Sequence, residues 1–321
     1  MAALKQEAHA LTPAALVAQT GDLPSLPAIY FRVKAVIERP NSSIRDIERE
    51  IAYDAGLTSR LLCLANSVYY SVRGGLDTIG QAFSLLGTEQ VKHLLLATSV
   101  ASAFRGISPK LMDMRKFWTR NAYRALVARC LANQDHRFDG ERFFVEGLLS
   151  DIGHLVMYLS MPHAAEKALL HSRESGLPLH RVERDLCGFD YAEVSAELLA
   201  TWNFSPTVVA AVCHHPVPLA AGGTAAREAS ILHIANSFTE AVYTPEDFAV
   251  WARKVDPVVW LEAGLSAACM PEIKTQAEAG LEALVRALLP STSGRPVVLR
   301  GKRQSTAGGN GPRVRGSGRS R

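Results

Sequence analysis

The stretch ERFFVEGLLSDIGHLVMYL, residues 141–159, is the most informative part of the chain for its fold class. Its apolar residues run almost without interruption, which is typical of a helix that is buried on all of its faces. Pro162, a residue that interrupts helices, follows shortly after the stretch. We therefore predict one central, buried helix over residues 141–159.

The segments on either side of this stretch show the helical period as well. Ile44, Ile47 and Ile51 recur at the spacing that places side chains on one face of a helix. Ser42–Ser43 precede them and Asp46 falls in the first turn, which predicts a capped helix start. No pair of alternating strands is found, so we predict an all-α fold. Further helices are predicted over residues 57–65, 79–86 (ended by Gly87), 88–98 (capped by Thr88), 117–132, 191–202, 206–212, 225–242 and 281–289.

Positive charge is concentrated in the C-terminal segment 291–321. This segment holds eight basic residues and no acidic residue, so in a chain of net charge +4 the residues 1–290 carry about −4. Its Gly, Ser and Arg content leaves too little apolar surface to offset the entropy of ordering, which predicts a disordered basic tail. Such a tail could contact nucleic-acid phosphates without reading sequence. The candidate contact residues are Arg300, Lys302, Arg303, Arg313, Arg315, Arg319 and Arg321.

The five cysteines are scattered and form no CxxC pair. This usage argues against a disulfide framework and favours a reducing compartment. No segment approaches the roughly 20 consecutive apolar residues that a membrane span needs. We predict a cytoplasmic protein that does not contact a membrane.

Six segments, taken in order, carry a resemblance to a known family. LPSLPAIY (23–30), LTSRLLCLANSVYY (57–70) and TIGQAFSLLGTEQVKHLLLA (78–97) resemble the N-terminal half of HDOD domains. EGLLSDIGHLVM (146–157), GFDYAEVSAELLATWNF (188–204) and AAVCHHPVP (210–218) resemble the C-terminal half. HDOD domains are degenerate relatives of the HD phosphohydrolases, and the resemblance implies a compact helical array without a sheet.

The resemblance also implies a domain organisation. The HDOD domain is expected over about residues 20–218, with an N-terminal helical lobe over 20–108 and an HD-like lobe over 109–218. The Pro- and Gly-containing segment 216–223 is expected to be a loop that leads into a C-terminal helical extension over 219–290. The basic tail follows at 291–321.

An active HD phosphohydrolase holds divalent metal with His and Asp ligands, and the metal converts a bound water into hydroxide. By resemblance, four ligand positions are altered in this chain. The first histidine falls at Arg120–Asn121, the histidine of the HD pair is Ser150, a later histidine is Tyr191, and the final aspartate is Asn236. Neutral Ser, Asn and Tyr are weak ligands for a catalytic metal.

The retained positions are Asp151, His214 and His215, with His154 nearby. Three ligands can hold a catalytic zinc, so a residual divalent metal at these residues is the alternative to complete loss. Asp151 is otherwise expected to cap a helix or to pair with Arg120.

We therefore expect a non-catalytic bacterial signal-transduction module, with no required cofactor, that binds a signalling protein in trans or a small nucleotide. One alternative is a metal-dependent phosphohydrolase or phosphodiesterase with an altered ligand set. The other is a nucleic-acid-associated protein that acts through the basic tail.

Overall fold

The computed structural model describes residues 11–20, 28–66, 75–104, 107–243 and 248–289. Within these ranges the chain forms α-helices and two short 3₁₀ helices (Pro218–Ala220 and Ala267–Cys269), without a strand, so the predicted all-α fold is confirmed. The basic tail and its seven candidate contact residues lie outside the described residues. The helices are α1 (Pro13–Gln19), α2 (Ala28–Ile37), α3 (Ile44–Ala52), α4 (Ala55–Ala65), α5 (Ile79–Leu86), α6 (Thr88–Ala103), α7 (Met114–Ala132), α8 (Gly140–Leu149), α9 (Ile152–Ser160), α10 (Pro162–Ser175), α11 (Leu179–Cys187), α12 (Tyr191–Thr201), α13 (Pro206–His214), α14 (Gly223–Val242), α15 (Phe248–Lys254), α16 (Pro257–Ala263) and α17 (Met270–Leu288).

Local capping signals define several helix starts in the N-terminal part. Ser43 Oγ accepts a hydrogen bond from the Asp46 amide, and Asp46 Oδ2 accepts one from the Ser43 amide at 2.9 Å. This reciprocal pair satisfies two backbone donors that a helix start leaves free. The capping role predicted for Thr88 is wrong. Gly87, with φ 83°, precedes the helix and Thr88 is its first residue, without a side-chain capping bond.

Asn66 lies at the C-terminal cap of α4, and its side chain bonds to Leu76, in the segment that precedes α5. Its Nδ2 donates to the Leu76 carbonyl at 2.8 Å, and its Oδ1 accepts from the Leu76 amide. The side chain therefore satisfies both backbone groups of one residue in the next segment. This arrangement gives Asn66, within the resemblance segment 57–70, a role in folding.

The centre of the molecule is α7, which packs against α8, α14 and α17. Its Trp118, Tyr123 and Leu126 are almost completely buried. Because α14 and α17 belong to the segment 219–289, the predicted C-terminal extension contributes to the same hydrophobic core as the HD-like part. The cleft described below therefore receives residues from both segments.

The single helix predicted over residues 141–159 is wrong, because α8 ends at Leu149 and α9 begins at Ile152. The cause is a close approach between α9 and α12. A Cβ atom on Gly153 would overlap the Tyr191 carbonyl oxygen and would lie 2.7 Å from the Ser195 nitrogen. The Gly153 amide donates to Ser195 Oγ at 2.8 Å, which satisfies a free donor in the first turn of α9.

The stretch Gly140–Ser160 is, among the described residues, the one segment long and apolar enough to cross a membrane. An 18-residue part of this stretch is 83% buried inside the protein, and the turn at Ser150–Asp151 interrupts the stretch. Its apolar character is therefore accounted for by its position in the core.

A buried carboxyl on α8 gives the first testable prediction. Burial raises the pKa of Glu146 to about 8, against the lowering effect of Arg142 and with a further increase from Glu228 and Asp139. Arg142 Nε lies 3.6 Å from Glu146, but its guanidinium is hydrogen-bonded to Glu228. The folded state therefore keeps a proton on Glu146 that the unfolded chain releases above its ordinary pKa of 4.5.

The contribution of Glu146 to the free energy of unfolding consequently falls as the pH rises from 4.5 towards 8. Burial lowers the pKa of His215 to about 4, which has the opposite effect below pH 6.5. Above pH 6.5 the raised pKa of His154 also lowers stability as the pH rises, so the contribution of Glu146 is obtained from the comparison with Glu146→Gln over pH 6.5 to 8. In urea titrations, wild type is expected to lose stability across this interval relative to Glu146→Gln. Parallel pH profiles for the two proteins would contradict the assignment.

Candidate functional site

A cleft of about 600 Å³ lies beside α7 and is bordered by α9, α10, α11, α12, α14 and the segment that precedes α7. We use two names for its lining. The floor consists of Asn121, Asp151, His154 and Tyr191, which are buried or nearly so. The rim consists of the more exposed charged residues Lys110, Asp113, Lys116, Arg120, Arg173 and Glu240.

Arg124 lies directly beneath the floor. Its side chain is only 1% exposed. Its Nη1 donates to Asn121 Oδ1 at 2.6 Å and to Ser150 Oγ at 3.2 Å, and its Nη2 donates to Asp151 Oδ2 at 2.6 Å. One guanidinium thus joins α7 to the turn between α8 and α9.

The local sequence explains how these groups meet. Asn121 and Arg124 are three residues apart on α7, so their side chains lie on the same helix face. Ser150 and Asp151 form the turn that the approach of α9 to α12 creates, and Ser150 Oγ is also held by the Gly147 carbonyl at 3.2 Å. The planar guanidinium, with five donors in fixed directions, fits three acceptors that surround it.

Asp151 is ionised in this environment. Burial alone would raise the pKa of Asp151, but the neighbouring Arg124 and, more weakly, His154 and His215 leave it below its ordinary value. Its Oδ2 is bonded to Arg124. Its Oδ1 lies 3.8 Å from His215 Nε2 and has no hydrogen-bond partner among the described residues.

His215 is a neutral, fully buried histidine. Its Nδ1 must donate to the Val212 carbonyl, 2.7 Å away, because a carbonyl only accepts. Its Nε2 therefore accepts from the Tyr191 hydroxyl at 3.1 Å. Burial lowers the pKa of His215 to about 4, which agrees with the neutral form.

His154 belongs to a second charge pair. Its ring stacks on Tyr191, with centroids 3.9 Å apart, and its Nδ1 lies 3.3 Å from Glu183 Oε1. Burial would lower the pKa of His154, but the carboxylates of Glu183 and, more weakly, Asp151 together raise it above its ordinary value. Glu183 also accepts from the Tyr191 amide at 3.1 Å, so Tyr191 is fixed between the two charge pairs.

The structure brings most of the predicted site residues to one cleft. Asp151, His154, Tyr191 and Asn236 line it, together with Arg120 and Asn121. Ser150 and His215 lie behind the floor, where Ser150 Oγ accepts from Arg124 and His215 Nε2 accepts from the Tyr191 hydroxyl. His214 is half-buried at the end of α13 and is absent from the cleft lining, so it does not join the cluster.

Both structural roles suggested for Asp151 are wrong in detail. Its side chain makes no capping hydrogen bond at the start of α9. It pairs with Arg124, whereas Arg120 lies on the rim, 3.3 Å from Glu240 and over the ring of Tyr243. Arg124 is one turn further along α7 than the position where the resemblance places the first histidine.

These residues do not fit a catalytic metal. In the described part of the chain, no group of three or more His, Cys, Asp or Glu side chains is placed to hold a metal ion. One oxygen of Asp151 is already bonded to a guanidinium, and the other expected ligand positions at Asn121 and Ser150 face the same guanidinium. A metal cation at this point would be repelled by a permanent positive charge.

The sequence model for HDOD domains matches residues 23–218. This chain belongs to the HDOD family. The match covers more than half of its length, and the resemblance found in the sequence is confirmed. A comparison with curated proteins found no match.

Solved structures of the same fold are similar over most of the chain. One is a Shewanella amazonensis SB2B protein provisionally named a phosphohydrolase, with 23% identity, a TM-score of 0.69, and coverage of 86% of this chain and 98% of that one. Another is an HDOD domain protein of unknown function from Geobacter sulfurreducens, at 18% identity and a TM-score of 0.63, covering 83% and 97%. A Marinobacter aquaeolei VT8 protein, provisionally named a signal transduction protein, has 20% identity and a TM-score of 0.63, with coverage of 83% of this chain and 60% of that one. At these identities the likeness concerns the fold.

Proposed function

We propose that this HDOD chain is a regulatory module in which Arg124 takes the place of the catalytic metal. The observation that carries the proposal is the set of three hydrogen bonds from one buried guanidinium to Asn121, Ser150 and Asp151. By resemblance, these three residues stand at the metal-ligand positions of an HD phosphohydrolase. A guanidinium supplies positive charge but cannot bind and ionise a water molecule as a metal does.

The role follows from what such a site retains. Compared with an active HD phosphohydrolase, the site keeps a positive charge, which holds α7 to the α8–α9 turn. It lacks the metal-activated water that serves as the nucleophile. The cleft beside it has a volume in the usual range of about 300 to 1,000 Å³ for ligand pockets. We place the chain in bacterial signal transduction in the cytoplasm, binding a signalling protein in trans or a small nucleotide in the cleft. The Marinobacter relative's name supports this role by analogy of fold.

The first experiment separates this proposal from the phosphohydrolase alternative. The full chain is dialysed against Mn²⁺, Fe²⁺, Ni²⁺ or Zn²⁺, bound metal is measured by mass spectrometry, and turnover is followed with phosphomonoester and cyclic-nucleotide substrates. We expect metal well below one equivalent per chain and no turnover above the blank. Stoichiometric metal together with metal-dependent turnover would establish the alternative.

A reconstruction tests the part played by Arg124 and gives the second prediction. The triple variant Asn121→His, Ser150→His, Arg124→Ala offers two imidazoles beside a released Asp151, which is the three-ligand set of an open metal site. We expect it to bind about one equivalent of Zn²⁺ or Mn²⁺. The matched double variant Asn121→His, Ser150→His keeps Arg124 and is expected to bind none. Equal binding by both variants would show that Arg124 does not exclude the metal.

A further inference from the structure

Apart from His154 Nδ1, which lies 3.3 Å from Glu183 Oε1, two buried polar atoms of the floor have no hydrogen-bond partner among the described residues. One is Asn121 Nδ2, a donor, and the other is Asp151 Oδ1, an acceptor. Asn121 is 99% buried, and both residues line the cleft. Buried polar groups are nearly always paired in folded proteins, so the floor favours a ligand that supplies one acceptor and one donor.

The bonds to Arg124 determine which atoms are left over. A guanidinium only donates, so Asn121 must present its Oδ1 to Arg124 and its Nδ2 remains. Asp151 presents Oδ2 to Arg124 in the same way, and its Oδ1 remains. The floor therefore offers a donor and an acceptor that come from residues bonded to one guanidinium.

The charges of the floor and the rim are different. In the floor, Asp151 is balanced by Arg124, and His154 lies beside Glu183. A phosphate there would meet the unpaired carboxylate oxygen of Asp151.

On the rim, Lys116 lies 3.9 Å from Asp113, and Arg120 lies 3.3 Å from Glu240. Lys110 and Arg173 have no acidic partner within ion-pair distance in the described ranges. The rim therefore carries the positive charge that is free to attract a phosphate.

We propose that the cleft binds a mononucleotide with the edge of its base on the floor and its phosphate at the rim. The proposal rests on the nucleotide-binding role proposed above and names the ligand class and its orientation. The edge of a nucleobase places a donor next to an acceptor, which matches Asp151 Oδ1 and Asn121 Nδ2. Phe117, Tyr158 and the stacked His154–Tyr191 pair provide aromatic surface for a base. This orientation is opposite to that of a metal phosphohydrolase, which holds the phosphate at the site of the metal.

Calorimetry on the full chain tests the orientation without any substitution. The probes are adenosine, guanosine, AMP, GMP and inorganic pyrophosphate. We expect at least one nucleotide to bind, its nucleoside to bind more weakly, and pyrophosphate to leave nucleoside binding unchanged. Pyrophosphate that binds while both nucleosides fail would overturn the proposal, as would the failure of all five probes. Neither result tests whether the chain is catalytic. The metal and turnover measurements decide that question separately.

Two variants provide a crossed test. Asn121→Asp keeps an oxygen for Arg124 but removes the free donor, so it should weaken the nucleoside and the nucleotide by the same factor, about tenfold. The double variant Lys110→Ala, Arg173→Ala should weaken only the nucleotide, again by about tenfold, and leave the nucleoside unchanged. Loss of nucleoside binding in the rim variant, with nucleoside binding intact in the floor variant, would reverse the assignment. Melting temperatures are measured alongside, and the pyrophosphate competition in wild type does not depend on either variant.

Discussion

Replacing Arg124 with methionine is expected to destabilise the folded chain by about 3 to 5 kcal/mol. Methionine fills much of the same volume but has no charge. Asp151, whose side chain is 15% exposed, would then be a nearly buried carboxylate without its cation, and Asn121 and Ser150 would each lose a donor. Urea unfolding at neutral pH measures the loss.

Arg120→Met is the matched control, since it lies on the same helix. Arg120 and Glu240 are 44% and 48% exposed, and such surface pairs contribute roughly 0 to 1 kcal/mol. Adding Asp151→Asn to Arg124→Met removes the stranded charge and is expected to recover part of the stability. If the Arg120 and Arg124 variants lose the same amount, the buried pair is not what holds α7 to the α8–α9 turn.

Substituting Gly153 with alanine is expected to cost about 3 kcal/mol or more, or to prevent folding. The added methyl group would overlap the Tyr191 carbonyl and press on the backbone nitrogen and hydroxyl of Ser195. Backbone atoms on both sides cannot rotate away as a side chain can, so α9 and α12 would have to separate. Thermal and urea unfolding measure the effect, and the separation should also disturb the Tyr191–His215 hydrogen bond.

Gly222→Ala provides the control for Gly153→Ala. A Cβ atom at Gly222 meets nothing within 4 Å, and its backbone has a φ of −109° that any residue adopts. The loss of stability in Gly222→Ala should stay below about 1 kcal/mol, which is the scale of a change at a helix N-cap. Similar losses for the two alanine variants would mean that the contact between α9 and α12 is looser than described.

The sequence was sufficient for the fold class and for the family, because both depend on patterns that local sequence carries. The isoleucine face of residues 44–51 and the Ser43–Asp46 cap are determined by neighbours in the chain, and both occur as predicted. The division of residues 141–159 into two helices could not be predicted in this way. The apolar pattern continues through Ser150–Asp151, and the turn there depends on the close contact of Gly153 with residues about 40 positions later.

The candidate site shows the same division between local and tertiary information. The resemblance placed Asp151, Tyr191 and Asn236 near one another, and the cleft brings them together. It did not indicate Arg124, because an arginine has no place in a list of metal ligands. One signal was available, since Arg124 is a lone charge in the apolar run NAYRALVA, one turn after Asn121. A charge in that position needs a buried partner.

The positive charge at the centre of this protein is part of the polypeptide. It is present as soon as the chain folds, it requires no uptake or loading of an ion, and no chelator can remove it. Changes in the metal supply or redox state of the cell, which switch many metal-centred proteins on and off, leave Arg124 as it is. In the proposed regulatory role, a signal would therefore act through a ligand in the cleft or a partner on the surface, independently of any metal.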